Sequence, residues 1–163
     1  MYGSIAPLYL GVFLPGALGF VGMGLDMYNP VCAFACQRAI QYASLSCSAT
    51  YTEQGIPSPE CRANDRAYLT TLAWCMDERC TPWSVETWQL EKFWREEATG
   101  DQSLPPKWGY IETLQHIATA PDLEWEWGQR LVVTATVPAD RWETQRRSME
   151  NSRQEEALHA RYG

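Results

Sequence analysis

The chain has 163 residues, of which 45% are hydrophobic, and a formal net charge of −7. This length allows one domain with a modest core. The acidic balance excludes a nucleic-acid-binding function and a basic membrane-surface patch, because both require concentrated Lys and Arg. Residues 20–139 carry the whole net charge, with 15 acidic against 8 basic side chains. We expect a solvated acidic face there in preference to a cation-binding surface.

The start of the chain predicts export from the cell. Its first 25 residues contain no charge, and residues 8–14 form a short apolar core followed by Pro15, Gly16, Ala17 and Gly19. This order is typical of a signal peptide over residues 1–19 that is cleaved after Gly19. A transmembrane anchor is the alternative, since the apolar run is nearly long enough to span a bilayer. The helix-breaking Pro15 and Gly16 favour the signal peptide.

The apolar spacing after the leader predicts a mainly α-helical fold. Helices are expected over residues 31–46, 60–78, 84–99 and 110–120. Gly and Pro between residues 51 and 59 predict a loop that folds the first two helices into an antiparallel hairpin. The predicted fold is therefore a small helical domain, an antiparallel hairpin with two or three further helices.

The same spacing predicts which side chains enter the core. The second helix is expected to bury Tyr68, Leu72, Cys75 and Met76, and the third to bury Trp88, Leu90, Phe93 and Trp94. The sequence has 8 tryptophans, a number that suggests carbohydrate stacking at first sight, but helical spacing favours core positions for Trp88 and Trp94.

The last part of the chain is predicted to be less regular or more solvated. Residues 131–137 are rich in Val and Thr, which predicts one strand or an extended segment. Residues 140–163 are polar almost all round and predict a solvated helix or spacer rather than a packed element.

Six cysteines lie between residues 32 and 80, and in an exported chain they predict disulfides. Cys47 and Cys61 flank the hairpin loop and are natural partners. Measured back from this loop, the next cysteines lie about 16 Å along the first helix and about 21 Å along the second. Six cysteines allow 15 sets of pairs, and these distances favour the nested set, in which cysteines at similar distances from the loop pair with each other. The predicted pairs are Cys47–Cys61, Cys36–Cys75 and Cys32–Cys80.

Two other cysteine chemistries are less favoured. Cys32 and Cys36 with Cys75 and Cys80 superficially resemble two zinc-ligand pairs, but exported thiols usually oxidise, and the remaining two cysteines would be unexplained. A thiol–disulfide enzyme normally carries a C-x-x-C pair beside a strand–helix unit, and the sequence has none.

The other polar candidates predict no catalytic, cofactor-binding or metal site. His116 is expected to be a partly buried structural residue and His159 to lie in the charged tail, so they cannot form facing haem ligands or a Ser–His–Asp site. Glu124 and Glu126 are expected at a loop edge rather than around a metal ion.

Five sequence segments carry a resemblance. They are FVGMGLDMYNPVCAFACQR at residues 20–38, ECRANDRAYLTTLAWC at 60–75, LEKFW at 90–94 with Thr99 and Gly100, PKWGYIETL at 106–114, and EALHARYG at 156–163. In this order they resemble the N-terminal extracellular domain of fungal ferric reductase-like transmembrane proteins. The last segment is similar to the stretch that precedes the first membrane helix in this family.

The resemblance implies a plasma-membrane reductase that passes electrons from NADPH through FAD and two haems to ferric iron or copper outside the cell. Those cofactor sites belong to parts that are absent here, so no cofactor and no redox turnover is expected of this chain alone. Its expected partners are the membrane portion of the same reductase and ferric or cupric ions. The implied layout is a signal peptide (1–19), a cysteine-rich ectodomain (20–139) and a spacer leading toward the membrane (140–163).

Two alternatives remain open. One is a free-standing secreted cysteine-rich module that binds iron or haem, although the fungal modules of that kind carry eight cysteines and this chain has six. The other is an interaction domain from a truncated gene product. All of these readings place the chain outside the cytosol, in the secretory pathway or at the outer face of the plasma membrane.

Overall fold

A computed structural model describes residues 28–47 and 55–162. Six α-helices form within these ranges. In chain order they are α1 (Val31–Ile40), α2 (Pro59–Asn64), α3 (Arg66–Cys80), α4 (Thr87–Glu96), α5 (Tyr110–Gln115) and α6 (Ala139–Tyr162). The mainly α prediction is confirmed. The predicted signal peptide and part of the predicted hairpin loop lie outside the described residues.

Helix α1 lies at the centre of the fold. It packs against α3 on one side and against α6 on another, and its Ala33, Ala35 and Ala39 are fully buried. Such small side chains let neighbouring helices approach closely. From α3, the predicted inner residues Tyr68 and Leu72 are fully buried against them.

The predicted second helix is divided in two at Asp65. This residue has extended backbone angles (φ −78°, ψ 115°) and serves as the N-cap of α3, where its carboxylate accepts a hydrogen bond from the Tyr68 backbone N–H at 2.9 Å. The same carboxylate accepts bonds from the backbone N–H and the hydroxyl of Ser46. A single continuous helix would lose both the cap and the hydrogen bonds to Ser46, which lies in the turn after α1.

Helix α1 is shorter than predicted because the residues after it bond elsewhere. The chain turns after Ile40, which allows the Ser44 carbonyl to accept a hydrogen bond from the Leu131 N–H at 2.8 Å. Leu45 is then fully buried. Continuing the helix to residue 46 would remove both interactions.

Helices α4 and α5 are also shorter than predicted. Ser84 has a left-handed backbone (φ 52°), so α4 begins only after Glu86, whose N–H bonds to the Gln89 side chain at 3.1 Å. Of the predicted inner face of α4, Leu90, Phe93 and Trp94 are buried, whereas Trp88 is 63% exposed. The prediction for Trp88 is wrong because the helix turns this position away from α3 and α5.

Residues 131–137 form an extended segment, one of the two outcomes predicted. Ala135 N–H donates to the Thr71 hydroxyl at 3.0 Å, and the Thr134 and Thr70 hydroxyls are 2.8 Å apart. Buried threonines of α3 therefore take the place that a neighbouring strand would fill. Two isolated bridges, Ser44 with Arg130 and Glu124 with Thr136, are the strand-like pairing found in the described ranges.

Helix α6 confirms the predicted polar helix at this end of the chain, but its first half is packed, whereas the sequence predicted a solvated element. Trp142 is 7% exposed and Met149 is 5% exposed. The Trp142 indole N–H donates to the Cys32 carbonyl of α1 at 3.2 Å. Trp142 and Met149 are the buried apolar side chains of α6 among those the structure describes, and they lie seven residues apart, so the apolar face is too sparse to predict an amphipathic helix from sequence.

A buried polar cluster closes the C-terminal end of α4. The Tyr68 hydroxyl donates to the Ala98 carbonyl at 2.8 Å, and the Gln37 amide donates to the Glu97 carbonyl. Arg62, which is 8% exposed, lies against Gly100 and hydrogen-bonds to Tyr68. Burial raises the pKa of Tyr68, and the nearby Arg62 opposes this only in part.

Trp142→Ala tests the packing of α6. We expect a loss of about 3–5 kcal/mol in the free energy of unfolding, because a buried indole and its hydrogen bond to α1 are removed together. Urea unfolding with the disulfides intact measures it. The control is Leu158→Ala on the same helix, where Leu158 is 56% exposed and the expected change is within about 0.5 kcal/mol. Equal losses in the two variants would show that α6 is a solvated spacer after all.

Gly100→Ala tests the close approach of Arg62. Gly100 has a φ of +80°, and an added Cβ would lie 2.7 Å from Arg62 Nη2. The left-handed backbone and the clash with a buried side chain should together cost about 2–3 kcal/mol in thermal unfolding. Gly55→Ala is the matched control, because its φ is +73° with no atom within 4 Å of the added Cβ. It should cost about 1 kcal/mol; an equal cost for both would contradict the clash.

Candidate functional site

Three disulfides join the helices in a nested order. They are Cys32–Cys80, Cys36–Cys75 and Cys47–Cys61, with Cα–Cα distances of 5.4, 5.8 and 5.7 Å. These are the pairs predicted from the hairpin geometry, and no cysteine is left free. The first two link α1 to α3 across the core, and the third links the residues that follow α1 to α2. Paired sulfurs are not zinc ligands, and three disulfides indicate an oxidising, extracellular environment.

The two histidines are on separate elements. His116 is exposed and its ring centroid lies 4.5 Å from that of Trp108, which corrects the expectation of partial burial. Helix α5 ends at Gln115, so His116 falls just outside the packed turn. His159 is exposed on the distal half of α6.

Residues Glu124 and Glu126 are exposed in the loop before α6, as the sequence predicts. Glu126 accepts a hydrogen bond from the Gln129 amide at 2.8 Å. Across residues 28–47 and 55–162, no group of three His, Cys, Asp or Glu side chains is arranged to hold a metal ion. None of the helices in those ranges is both long and apolar enough to cross a bilayer.

A cleft of about 320 Å³ opens between α4 and the start of α5. Trp94, Trp108 and Tyr110 line it together with two prolines, and the Trp94 indole N–H donates to the Trp108 carbonyl at 2.7 Å. Trp94 and Tyr110 are 2% and 3% exposed, so their ring faces are used by the core. Burial, with a smaller effect of Asp77, raises the pKa of Tyr110, whose buried hydroxyl has no hydrogen-bond partner. The cleft therefore exposes only the edges of the Trp94 and Tyr110 rings, and a ligand cannot stack on their faces.

Arginine side chains lying on tryptophan rings attach α6 to the domain. The Arg146 guanidinium carbon lies 5.2 Å from the centroid of Trp83 and 6.0 Å from that of Trp142. Arg79 of α3 lies 5.6 Å from the Trp142 ring. Cation–π contacts of this kind stabilise a helix that has few apolar residues to bury.

Carboxylates hold Arg146 in that position. It donates to Glu143 at 2.6 and 2.7 Å and also to Glu150, while Arg147 donates to Glu143 at 2.7 Å. The hydrogen bonds from Arg146 and then Arg147 lower the pKa of Glu143 to about 2. Glu143 therefore stays ionised, and Arg146 stays fixed, throughout the neutral and mildly acidic range.

A second arginine of α6 supports an exposed aromatic surface, the aromatic platform, formed by Tyr42, Trp127 and Arg141 above the buried Trp125. The Arg141 guanidinium carbon lies 4.1 Å from the Trp127 centroid and 5.2 Å from the Trp125 centroid. Trp127 is 59% exposed and Tyr42 is 42% exposed, with their centroids 5.6 Å apart at 66°. The sequence analysis missed this surface, since its members come from three separate stretches of chain.

Comparison with protein-family models, with curated proteins and with solved structures found no match to this chain.

The low pKa of Glu143 predicts a pH-dependent effect of Glu143→Gln. The folded pKa of about 2 lies below the ordinary value of 4.5, so Glu143 stabilises the fold fully above pH 4.5, and the stabilisation is lost as the pH falls toward 2. The unfolding temperature of the variant should be lower than that of the parent at pH 6, and the difference should vanish near pH 2. Calorimetry from pH 2 to 7 measures it. Glu155→Gln on the same helix is the control and should show no such trend; a pH-independent difference for Glu143→Gln would contradict the ion-pair interpretation.

Proposed function

We propose that this chain is the non-catalytic extracellular domain of a ferric reductase-like membrane protein. In this role it stands at the outer face of the plasma membrane as a rigid module beside the electron-transfer portion of the same protein. That complete protein would carry electrons from NADPH through FAD and haem to ferric or cupric ions, which are its substrates. The observation that carries the proposal is the nested set of three disulfides between helices.

The disulfides support an extracellular module because they stabilise a core that is small by itself. Cys36 and Cys75 are at most 1% exposed and lie where α1 contributes mainly alanines to the core. Cross-links of this length typically add about 2–4 kcal/mol each to the free energy of unfolding. Such stabilisation suits a domain exposed to the outside medium, where oxidising conditions preserve it.

The resemblance supports the reductase assignment. Four of the five similar segments overlap helices α1, α2 with α3, α4 and α5. These segments supply both cysteines of Cys36–Cys75 and one cysteine of Cys32–Cys80, as well as the buried Phe93, Trp94 and Tyr110. The similarity to reductase ectodomains therefore falls on residues that build the framework.

Helix α6 suits a connecting role. Its 24 residues span about 36 Å, and its first half is bound to α1 through Trp142. From Asn151 to His159, and at Arg161 and Tyr162, its side chains are exposed or half-buried. In the proposed protein, the packed half fixes the direction of the helix and the distal half leads toward the membrane portion.

The described residues do not fit a haem site of their own. Haem ligation by imidazoles in such reductases needs histidines that face one another. His116 lies on the Trp108 ring at the end of α5, and His159 lies on the distal half of α6. We therefore assign this domain no step of electron transfer; its role is structural.

Native material tests the proposal. Antibodies raised against the chain should detect a polypeptide larger than 18.6 kDa in carbonate-washed membranes, and intact cells should expose the epitope to protease. Detergent-solubilised immunoprecipitates should reduce ferric chelates with NADPH and show a haem absorbance. All six cysteines should resist maleimide until a reductant is added.

Two results would overturn it. Detection of the epitope solely in the culture medium, on a polypeptide no larger than the chain, would instead favour the free-standing secreted module, and a haem titration would then decide whether that module binds haem. Maleimide labelling of all cysteines in freshly isolated, folded material would reject the extracellular assignment itself.

A further inference from the structure

We propose that the aromatic platform is a binding site for neutral polysaccharide, with the exposed indole of Trp127 as the surface on which a pyranose ring stacks. This inference does not depend on the reductase assignment, since it concerns the ligand of a surface on the isolated chain.

The exposed area of Trp127 is unusual for a side chain that is held so firmly. Arg141 covers one ring face at 4.1 Å from the centroid, yet 59% of the residue remains exposed. Much of the indole is therefore open to solvent although Arg141 lies on it. Tyr42 stands at 66° to it with a centroid distance of 5.6 Å, so that the two rings form adjoining walls of an open corner.

The platform is rigid without a ligand. Beneath it, Trp125 is 2% exposed, its backbone N–H donates to the Thr136 carbonyl at 2.9 Å and its indole N–H donates to the Gln129 carbonyl at 3.1 Å. These bonds fix the turn at Gly128 (φ +85°) and hence the orientation of Trp127. A ring that is already immobilised loses little conformational entropy when it binds, and this favours its use as a recognition surface.

Arg141 is engaged by the rings rather than by a carboxylate. Among the described residues it forms no ion pair, and its Nε is buried without a hydrogen-bond partner. Burial lowers the pKa of Arg141. The Arg141 guanidinium therefore lies on the indole of Trp127 while one of its N–H groups lacks a hydrogen bond, and this cation–π contact holds the indole in its orientation.

The charges and donors around Trp127 select the class of ligand. Arg141 lies on the tryptophan rings, and the neighbouring Arg130 already donates to the Ser46 carbonyl at 2.9 Å. A polyanion therefore finds no free cluster of cations, and the net charge of −7 opposes it further. A pyranose with equatorial hydroxyls instead presents a C–H face to the indole and hydroxyls to Glu126 and Gln129. Neutral β-linked polysaccharides have this chemistry, and an extracellular domain meets them.

The test is retention of the full oxidised chain on three insoluble polysaccharides: cellulose, chitin and β-1,3-glucan. We expect retention on at least one of them that a soluble oligosaccharide of the same linkage competes away. Trp127→Ala should weaken this binding about tenfold, the effect of losing one well-stacked ring, and Tyr42→Ala should weaken it less. The matched control is Trp88→Ala, which removes a tryptophan that is 63% exposed on α4 and should leave binding unchanged.

Far-ultraviolet circular dichroism and the unfolding temperature should be nearly the same for parent and Trp127→Ala, because the residue is largely exposed; these measurements separate lost binding from lost folding. The proposal would be overturned if the parent chain bound none of the three polysaccharides. Retention that soluble sugar does not compete would also overturn it, as would equal weakening by Trp127→Ala and Trp88→Ala, since both would indicate non-specific adsorption.

Discussion

The covalent clamp between α1 and α3 is the constraint on which the remaining structure depends. Apart from Ile40 and the partly buried Phe34, helix α1 contributes alanines and two half-cystines to the core, so it has little apolar surface with which to hold its neighbours. Cys32–Cys80 and Cys36–Cys75 fix its position against α3 at two points about one helical turn apart. Once α1 is fixed, its Cys32 carbonyl can accept the hydrogen bond from Trp142, and α6 gains a surface on which to pack.

Helix α6 shows how a polar helix can be part of a folded domain. Trp142 and Met149 alone could not hold 24 residues in place. Arg146 and Arg79 add stacking on tryptophan rings, and Glu143 with Glu150 restrains Arg146. Charged side chains here extend the apolar contact instead of merely solvating the helix, because their stems and planar guanidinium groups cover aromatic surface.

The stacking of arginine on tryptophan has different consequences at Trp142 and at Trp127. Trp142 is buried and serves stability, whereas Trp127 is held by Arg141 and remains largely exposed. A rigid framework and an exposed, fixed ring are compatible requirements for an extracellular module. The first supports the proposed role as an ectodomain, and the second is the surface for which we propose a ligand.

The sequence by itself determined the helical class, the three cysteine pairs, four of the buried residues of α3 and the three of α4, because helical periodicity and loop position are local properties of the chain. It did not determine the break at Asp65, the packing of Trp142, the exposure of Trp88 or the aromatic platform. Three of these depend on a partner elsewhere in the chain: Ser46 for Asp65, Cys32 for Trp142, Tyr42 and Arg141 for Trp127. Such contacts arise only when the tertiary structure brings separate stretches together, and no local spacing encodes them.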